Sequence, residues 1–316
     1  MKRLFSAMLL SLCLAAPSIA NEFPSKPITL IVPYSAGGGA DLTARLVADA
    51  VSNEIKQKLV IVNRPGGAGT AGHFQLTKAA PDGYTLAVVG PGSTAVGPHV
   101  SDVGYKREDY VAIVQLNTIP FLLVTKPKSN FTTLADMIEF AKKNPPGKVK
   151  VGITASGSWL HLCMLRFEKM HGVKFTYVPH GSTGEIVTNI LGGHIDAGQA
   201  DLASAGSNVA AGEMLGLAIW SPQRRPELPN VPTLREQGTQ LDGYFYNMII
   251  GPKGMPQPVL RKIEAAFKAA MENPDVAKRG EQAKVRLEFL GHEETEARIN
   301  EFYEVAGQIL KEIKSQ

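Results

Sequence analysis

Apolar positions along this chain follow two rhythms that alternate. The run Pro27 to Val32 is short and apolar but for Thr29, the pattern of a buried strand. Behind it, Leu42, Leu46, Val47, Ala50, Val51 and Ile55 recur at helical spacing, predicting a helix over Asp41 to Ile55. Lys58 to Val62 reads as a second strand, followed by the loop "NRPGGAGTAG" and a helix through Phe74 to Ala79. "PDG" at 81–83 is a turn, with Pro presetting φ and Gly accepting a positive value. Tyr84 to Val89 is a third strand that ends in "GPGSTAVG".

The unit recurs further on. Lys148 to Ile153 is a strand, "TASGS" a loop and Trp159 to Met170 a helix. Lys174 to Val178, "PHGSTGE" and Ile186 to Leu191 repeat it, and Ile195 to Ala197 leads into "GQADLASAG". Strands alternating with helices predict an α/β fold with largely parallel sheets. Two long extended segments, Val111 to Pro127 and Met214 to Trp220, interrupt the units, as two crossings between similar lobes would. Two tail helices are expected to return to the first lobe, Val259 to Met271 and Glu293 to Lys314. The second shows Ile299, Phe302, Tyr303, Ala306, Ile309, Leu310 and Ile313 on one face.

The first twenty residues stand outside this scheme. Lys2 and Arg3 precede the apolar stretch Leu4 to Leu14, and small residues close at Ala20, the pattern of a cleavable secretory leader. The stretch is shorter than the roughly 20 residues that span a bilayer. Leu12 before Cys13 does not suit a lipoprotein cleavage site. A periplasmic, released chain is therefore expected, with residues 21–119 and 222–316 as one lobe and 120–221 as the other.

Composition narrows the function. Apolar residues make up 44% and charged residues 20%, as in globular proteins. Lys and Arg are scattered and barely outnumber Asp and Glu once the leader is removed, so no nucleic-acid surface is expected. Past the leader only Cys163 remains, which excludes an internal disulfide. It reads as a small buried residue.

The loops carry the candidate chemistry. "AGGGAD" follows a strand and opens a helix, where free N–H groups and the helix dipole suit an anion. No Lys-Ser/Thr follows the glycines, so this is not a nucleotide P-loop. Gly67 to Gly72 spells G-x-G-x-x-G, yet nothing acidic stands about 20 positions on, near Gly92, which argues against a dinucleotide. No cofactor is expected. Asp41 reads as a helix cap with Arg45 as its ion partner. Loops at the carboxyl ends of strands define the ligand crevice of open α/β sheets. Facing one another across a hinge, these would grip a small acid from both ends.

Several roles stay open at this level. His161 either reaches across the crevice or braces its own loop, and His180 follows a strand as a contact candidate. Asp201 either caps a helix or orients a ligand group. Tyr34 and Tyr246 line the cleft or the core, while Trp159 and Trp220 read as packing. There is no G-x-S-x-G elbow and no H-E-x-x-H; "HEETE" at 292–296 lacks the second His. The seven histidines show no zinc spacing. Neither an enzyme nor a metal site is expected; a hydrolase built on Ser158 and His161 is the remote rival.

"PITLIVPYSAGGGADLTAR", "IVNRPGGAGTAG", "AAPDGYTL", "GSWLHL", "ILGGHIDAG", "RRPELPNVPTLREQG" and "GPKGMP" run in order from Pro27 to Pro256. In this set the chain resembles the Bug/TctC extracytoplasmic solute receptors of tripartite tricarboxylate transporters. The resemblance implies a two-lobed periplasmic binding protein of type II, with two crossovers and a mixed, mostly parallel sheet flanked by helices in each lobe. It implies a monomer that captures an organic carboxylate and delivers it to a permease of one large and one small subunit; a sensor kinase is the alternative partner. The glycine loops of such receptors hold one carboxylate end, commonly through waters. By motif this points to Tyr34, Ala36, Gly37, Gly38, Asp41, Gly67, Ala68 and Gly69, with Ser93 in the third loop. Ser156, Gly157, Ser158, His161, His180 and Asp201 are implied on the other lobe. His180 stands where many relatives carry Lys, and "YFYNMIIGP" lacks a tryptophan often found there.

Overall fold

The computed structural model describes residues 23–283 and 285–314; the leader expected at 1–20 lies outside them. In chain order, β1 (Ile28–Val32), α1 (Gly39–Ile55), β2 (Leu59–Asn63), α2 (Thr70–Thr77), β3 (Thr85–Val89), the single turn α3 (Gly97–Val100) and β4 (Tyr110–Ile119) build the first unit. One residue, Pro120, separates β4 from β5 (Phe121–Thr125). Proline has no N–H to donate to a ladder, so the chain leaves one sheet there and enters the next. The second unit is α4 (Leu134–Lys143), β6 (Lys150–Ile153), α5 (Trp159–His171), β7 (Thr176–Pro179), α6 (Thr183–Leu191), β8 (Ala197–Asp201), α7 (Leu202–Ala210) and β9 (Leu215–Ile219). After the proline-rich return come β10 (Phe245–Pro252), α8 (Gln257–Glu272), α9 (Pro274–Gln282) and α10 (His292–Lys314).

The two sheets share one plan. The first has the order β2-β1-β3-β10-β4 and the second β7-β6-β8-β5-β9. In each, three strands pair in parallel and the fourth runs antiparallel to both its neighbours. That fourth strand, β10 or β5, arrives by a crossing from the other sheet. Two crossings of this kind define a two-lobed α/β fold. Because β1, β3, β6 and β8 point the same way within their sheets, the helix mouths after them gather at one edge of each lobe.

Apolar residues pack in three clusters. One lies between β1, α1 and α8, another around α6, β5 and β9. The third is continuous across both lobes and holds Phe121, Trp159, Tyr246 and Phe302. Helix α10 carries it: it packs on β4 and the turn at 92–96 in the first lobe and also on α5 in the second. Phe302 sits 4.7 Å from Trp159 and 4.9 Å from Tyr246, ring centre to ring centre. Helix α9 escapes the sequence pattern because it buries only Val276 and Gly280. Its one signal is Asn273-Pro274, an N-cap followed by proline at the first helical position.

Candidate functional site

The first-lobe mouths are left open. Gly38 starts α1 with no side chain capping it, so the N–H groups of Gly39, Ala40 and Asp41 have no partner within the helix. Space in front of them is free: a β-carbon built on Gly37 or Gly39 would meet nothing within 4 Å. Gly69, which starts α2, has no side-chain cap either, but its amide donates to the Gly66 carbonyl at 2.9 Å. The Thr70 amide donates to the Gly67 carbonyl, so the donors left over here are the Gly67 and Ala68 amides of the turn preceding α2. The turn before it runs through Gly66, Gly67, Ala68 and Gly69 with φ of 149°, 56°, 53° and 98°. A left-handed alanine costs of the order of 1 kcal/mol, and such strain concentrates at functional sites. Residues 64–68 are exposed, so this turn presents backbone to solvent.

The loops lock together through Tyr34. Its hydroxyl lies so close that a β-carbon on Gly69 would stand 2.8 Å away, and one on Gly90 3.1 Å away. Burial pushes the Tyr34 hydroxyl up to about 12, opposed by a backbone hydrogen bond at Gly90, so it stays neutral. A β-carbon on Gly92 would stand 2.8 Å from the Ala68 carbonyl, so the third loop abuts the second.

Asp41 belongs to the frame of this site. Its Oδ2 accepts from the Gly37 amide and from Arg45 Nε, both at 2.8 Å, and its Oδ1 accepts from Asn63 Nδ2 at 2.9 Å. Asn63 Nδ2 also donates to the Tyr34 carbonyl, tying the first loop to the end of β2. Arg45, foremost, holds the buried Asp41 carboxyl down to about 2. The Gly37 amide is thereby occupied. Ser93 is buried as well: its hydroxyl donates to the Gly90 carbonyl, and its own carbonyl accepts from Tyr105.

The second-lobe mouths are built differently, each closed by its own side chain. Ser158 caps α5 by accepting from the His161 amide, and the Gly157 amide donates to His161 Nδ1 at 2.9 Å. That bond requires an unprotonated Nδ1, so the ring carries its proton on Nε2. Burial lowers the His161 pKa, which keeps the ring neutral. Ser182 caps α6 through the Glu185 amide, and Glu185 accepts in turn from the Gly181 amide. Asp201 caps α7 through the Ser204 amide at 2.7 Å, while its other oxygen takes the Thr183 hydroxyl at 2.8 Å.

His161 thus braces its own loop, and Asp201 is a cap. Ala36, Ser156 and Gly157 are exposed, whereas His180 is half-buried with Nε2 lacking a hydrogen-bond partner. Tyr246 is core, hydrogen-bonded to Thr94 at 2.6 Å. Trp159 and Trp220 are packing residues, and Cys163 is buried. Sequence reasoning did not single out Asn63, Gly90, Tyr105, Thr183, Glu185 or Gln199. Asn63 had a signal, a polar residue closing an apolar strand. Between the lobes, α5 packs against the 92–96 turn. Beside the α7 mouth, a groove of about 730 Å³ runs between Leu202, Ala203 and Gly206 on one side and Met271, Ala277 and Gly280 on the other. Among the described residues no group of three or more His, Cys, Asp or Glu side chains is placed to hold a metal, and no helix is long and apolar enough to cross a membrane.

Two α/β lobes, two crossing strands and a ring of helix mouths define the class of two-lobed solute-binding proteins. A sequence profile of the tripartite tricarboxylate transporter family receptor (TctC) matches residues 43–314, and the chain belongs to that family. It is 33% identical over 261 residues to a UPF0065 protein in the gbd 5′ region of Cupriavidus necator, covering 82% of this chain and 79% of that one. Among solved structures, a TctC solute-binding protein from Polaromonas without ligand superposes with a TM-score of 0.84 at 26% identity, over 92% of this chain and 99% of that one. Rhodopseudomonas palustris Rpa4515 with adipate gives 0.74 at 25% identity, over 92% and 98%. The family is one of receptors, and the Polaromonas relative is a solute-binding protein, not an enzyme.

Proposed function

We propose that this chain is a periplasmic receptor that captures a small organic carboxylate between its lobes and hands it to a tripartite-type permease of one large and one small membrane subunit. The observation that carries this reading is the uncapped, exposed mouth of α1 together with the exposed left-handed turn at Gly67 and Ala68, whose amides take no part in the turn's own hydrogen bonds. Backbone amides bind an anion there at low desolvation cost, which is how a site with few cations holds an acid. Residues 1–20 act as the export leader, and lobes of 21–119 with 222–316 and 120–221 flank the cleft. The adipate-bound relative supports a carboxylate ligand.

In this reading Gly39, Ala40, Gly67 and Ala68 present amides to the acid. Gly38 and Gly69, whose amides donate to the Ser35 and Gly66 carbonyls, shape the two turns, and Tyr34, Gly37, Asp41 and Ser93 hold the presented amides in place. Ser156, Gly157, Ser158, His161, His180 and Asp201 meet it from the second lobe. An acid docks first on the first-lobe amides; contacts to the second lobe then stabilise closure, by no more than its differential affinity for the closed form. Isothermal titration calorimetry of the mature chain with a panel of mono-, di- and tricarboxylates tests this. Saturable binding of at least one acid, weakened by Gly69→Ala, is expected; absence of binding by every acid would overturn it.

A further inference from the structure

The two halves of the cleft have opposite polarity, and this bears on which acid fits. Among the described residues of the first lobe the only buried carboxylate, Asp41, is neutralised by Arg45, and Arg64 stands exposed on the second glycine loop with no ion-pair partner among them. Amides and guanidinium there favour an anion. The second lobe offers acceptors instead. Asp201 and Glu185 stand at the α7 and α6 mouths, and neither pairs with a Lys, Arg or His among the described residues. An anion entering those mouths meets a carboxylate already in place.

An independent observation lies beneath them. Gln199 on β8 is 1% exposed, and its Nε2 donates to the Leu160 carbonyl in the first turn of α5. Only the amide nitrogen can serve a carbonyl, so the free atom is Oε1, a buried acceptor without a partner. Two residues from Asp201 on one strand, Gln199 shares its face. On α5, His161 supplies one neutral donor through Nε2, and His180 Nε2 after β7 is buried without a partner and takes either role.

We infer that the ligand is a carboxylate bearing a hydrogen-bond donor, an ammonium or a hydroxyl, on the end that meets Asp201 and Gln199. A plain dicarboxylate would set a second anion against Asp201, whereas an amino or hydroxy acid satisfies the acceptors that the lobe leaves open. This rests on the carboxylate-receptor reading above and sharpens it.

Calorimetry with matched acids of several chain lengths tests it, each length carrying a carboxylate, hydroxyl, ammonium or methyl group at the far end. For five carbons these are glutarate, 5-hydroxypentanoate, 5-aminopentanoate and pentanoate. The donor-bearing acid is expected to bind at least about tenfold more tightly than the diacid of equal length. Asp201→Asn keeps a capping side chain, so the fold is retained; melting temperature checks this. It should narrow that gap from both sides, weakening the ammonium form more than the hydroxyl form and strengthening the diacid. Glu185→Gln should act in the same direction. Tightest binding of the diacid, with its rank unchanged in Asp201→Asn, overturns this inference and leaves the receptor reading standing. Binding by no member of any series overturns both.

Discussion

Asp41 holds the Gly37 amide and the Arg45 guanidinium on a single carboxylate oxygen, each at 2.8 Å, while Asn63 takes the other oxygen. The residue that sequence alone offered as a cap and contact is the brace that aims the first glycine loop. Asp41→Asn turns an acceptor into a donor facing donors. It should cost about 1–2 kcal/mol, since half-exposed Arg45 is screened by solvent, and it should weaken acid binding. With its folded pKa at about 2 against the ordinary 3.8, Asp41 contributes stability above pH 4 that is lost as pH falls toward 2. Urea midpoints of wild type and variant, measured down this range, should converge.

Gly69 and Tyr34 form the second test. With φ of 98° and the Tyr34 hydroxyl in the way, Gly69→Ala must shift the turn that carries Ala68. A loss of about 1–3 kcal/mol is expected, along with a clear drop in affinity. Adding Tyr34→Phe frees the space of the hydroxyl and should recover part of the stability lost by Gly69→Ala, as a double-mutant cycle by thermal melting would read out.

His73 is expected to add a second, milder-acid dependence of stability. Its ring stacks on Tyr105 at 4.1 Å and meets Tyr110 at 4.3 Å, and burial with the nearby Arg107 charge pushes its pKa down to about 3. An imidazole depressed in the fold takes up its proton on unfolding. Its contribution is complete above pH 6.5 and is lost as pH falls from 6.5 toward 3. From pH 7 to pH 5 this amounts to about 2 kcal/mol. Denaturant titrations at the two pH values should show that slope in wild type and a smaller one in His73→Phe, which keeps the stacking.

Phe302 links the tail to the second-lobe mouth, since Trp159, its partner, directly follows the Ser158 cap. Phe302→Ala leaves a cavity in the one cluster both lobes share and should cost about 3–5 kcal/mol. Because α5 loses its support, the acid's affinity should fall too, although position 302 touches no ligand. Calorimetry at a temperature where the variant is still folded separates the two effects.

How legible was this in the sequence? Most strands and helices were, because burial leaves its period in the chain, and α1 and α10 differ from the expected spans by two residues and one; strand β10 and helix α4 were not read. Helix α9 was not, being almost entirely solvated. The glycine mouths were legible because uncapped backbone needs small residues in runs. The division of labour within the site was not. Asp41 depends on Asn63, distant in the chain, and Gln199 hides in an apolar strand where its single hydrogen bond goes to another helix. Such relations are set by the crossing of elements, which no local pattern encodes.

Everything rests on unsatisfied backbone donors in the first lobe taking hold of a negative charge, and a crystal structure with the tightest-binding acid of the matched series looks at this directly. A ligand carboxylate within about 2.7–3.2 Å of amides at Gly39–Asp41 and at Gly67 and Ala68, directly or through one water, is the predicted result. A ligand seated elsewhere, with those amides facing bulk solvent, would contradict it.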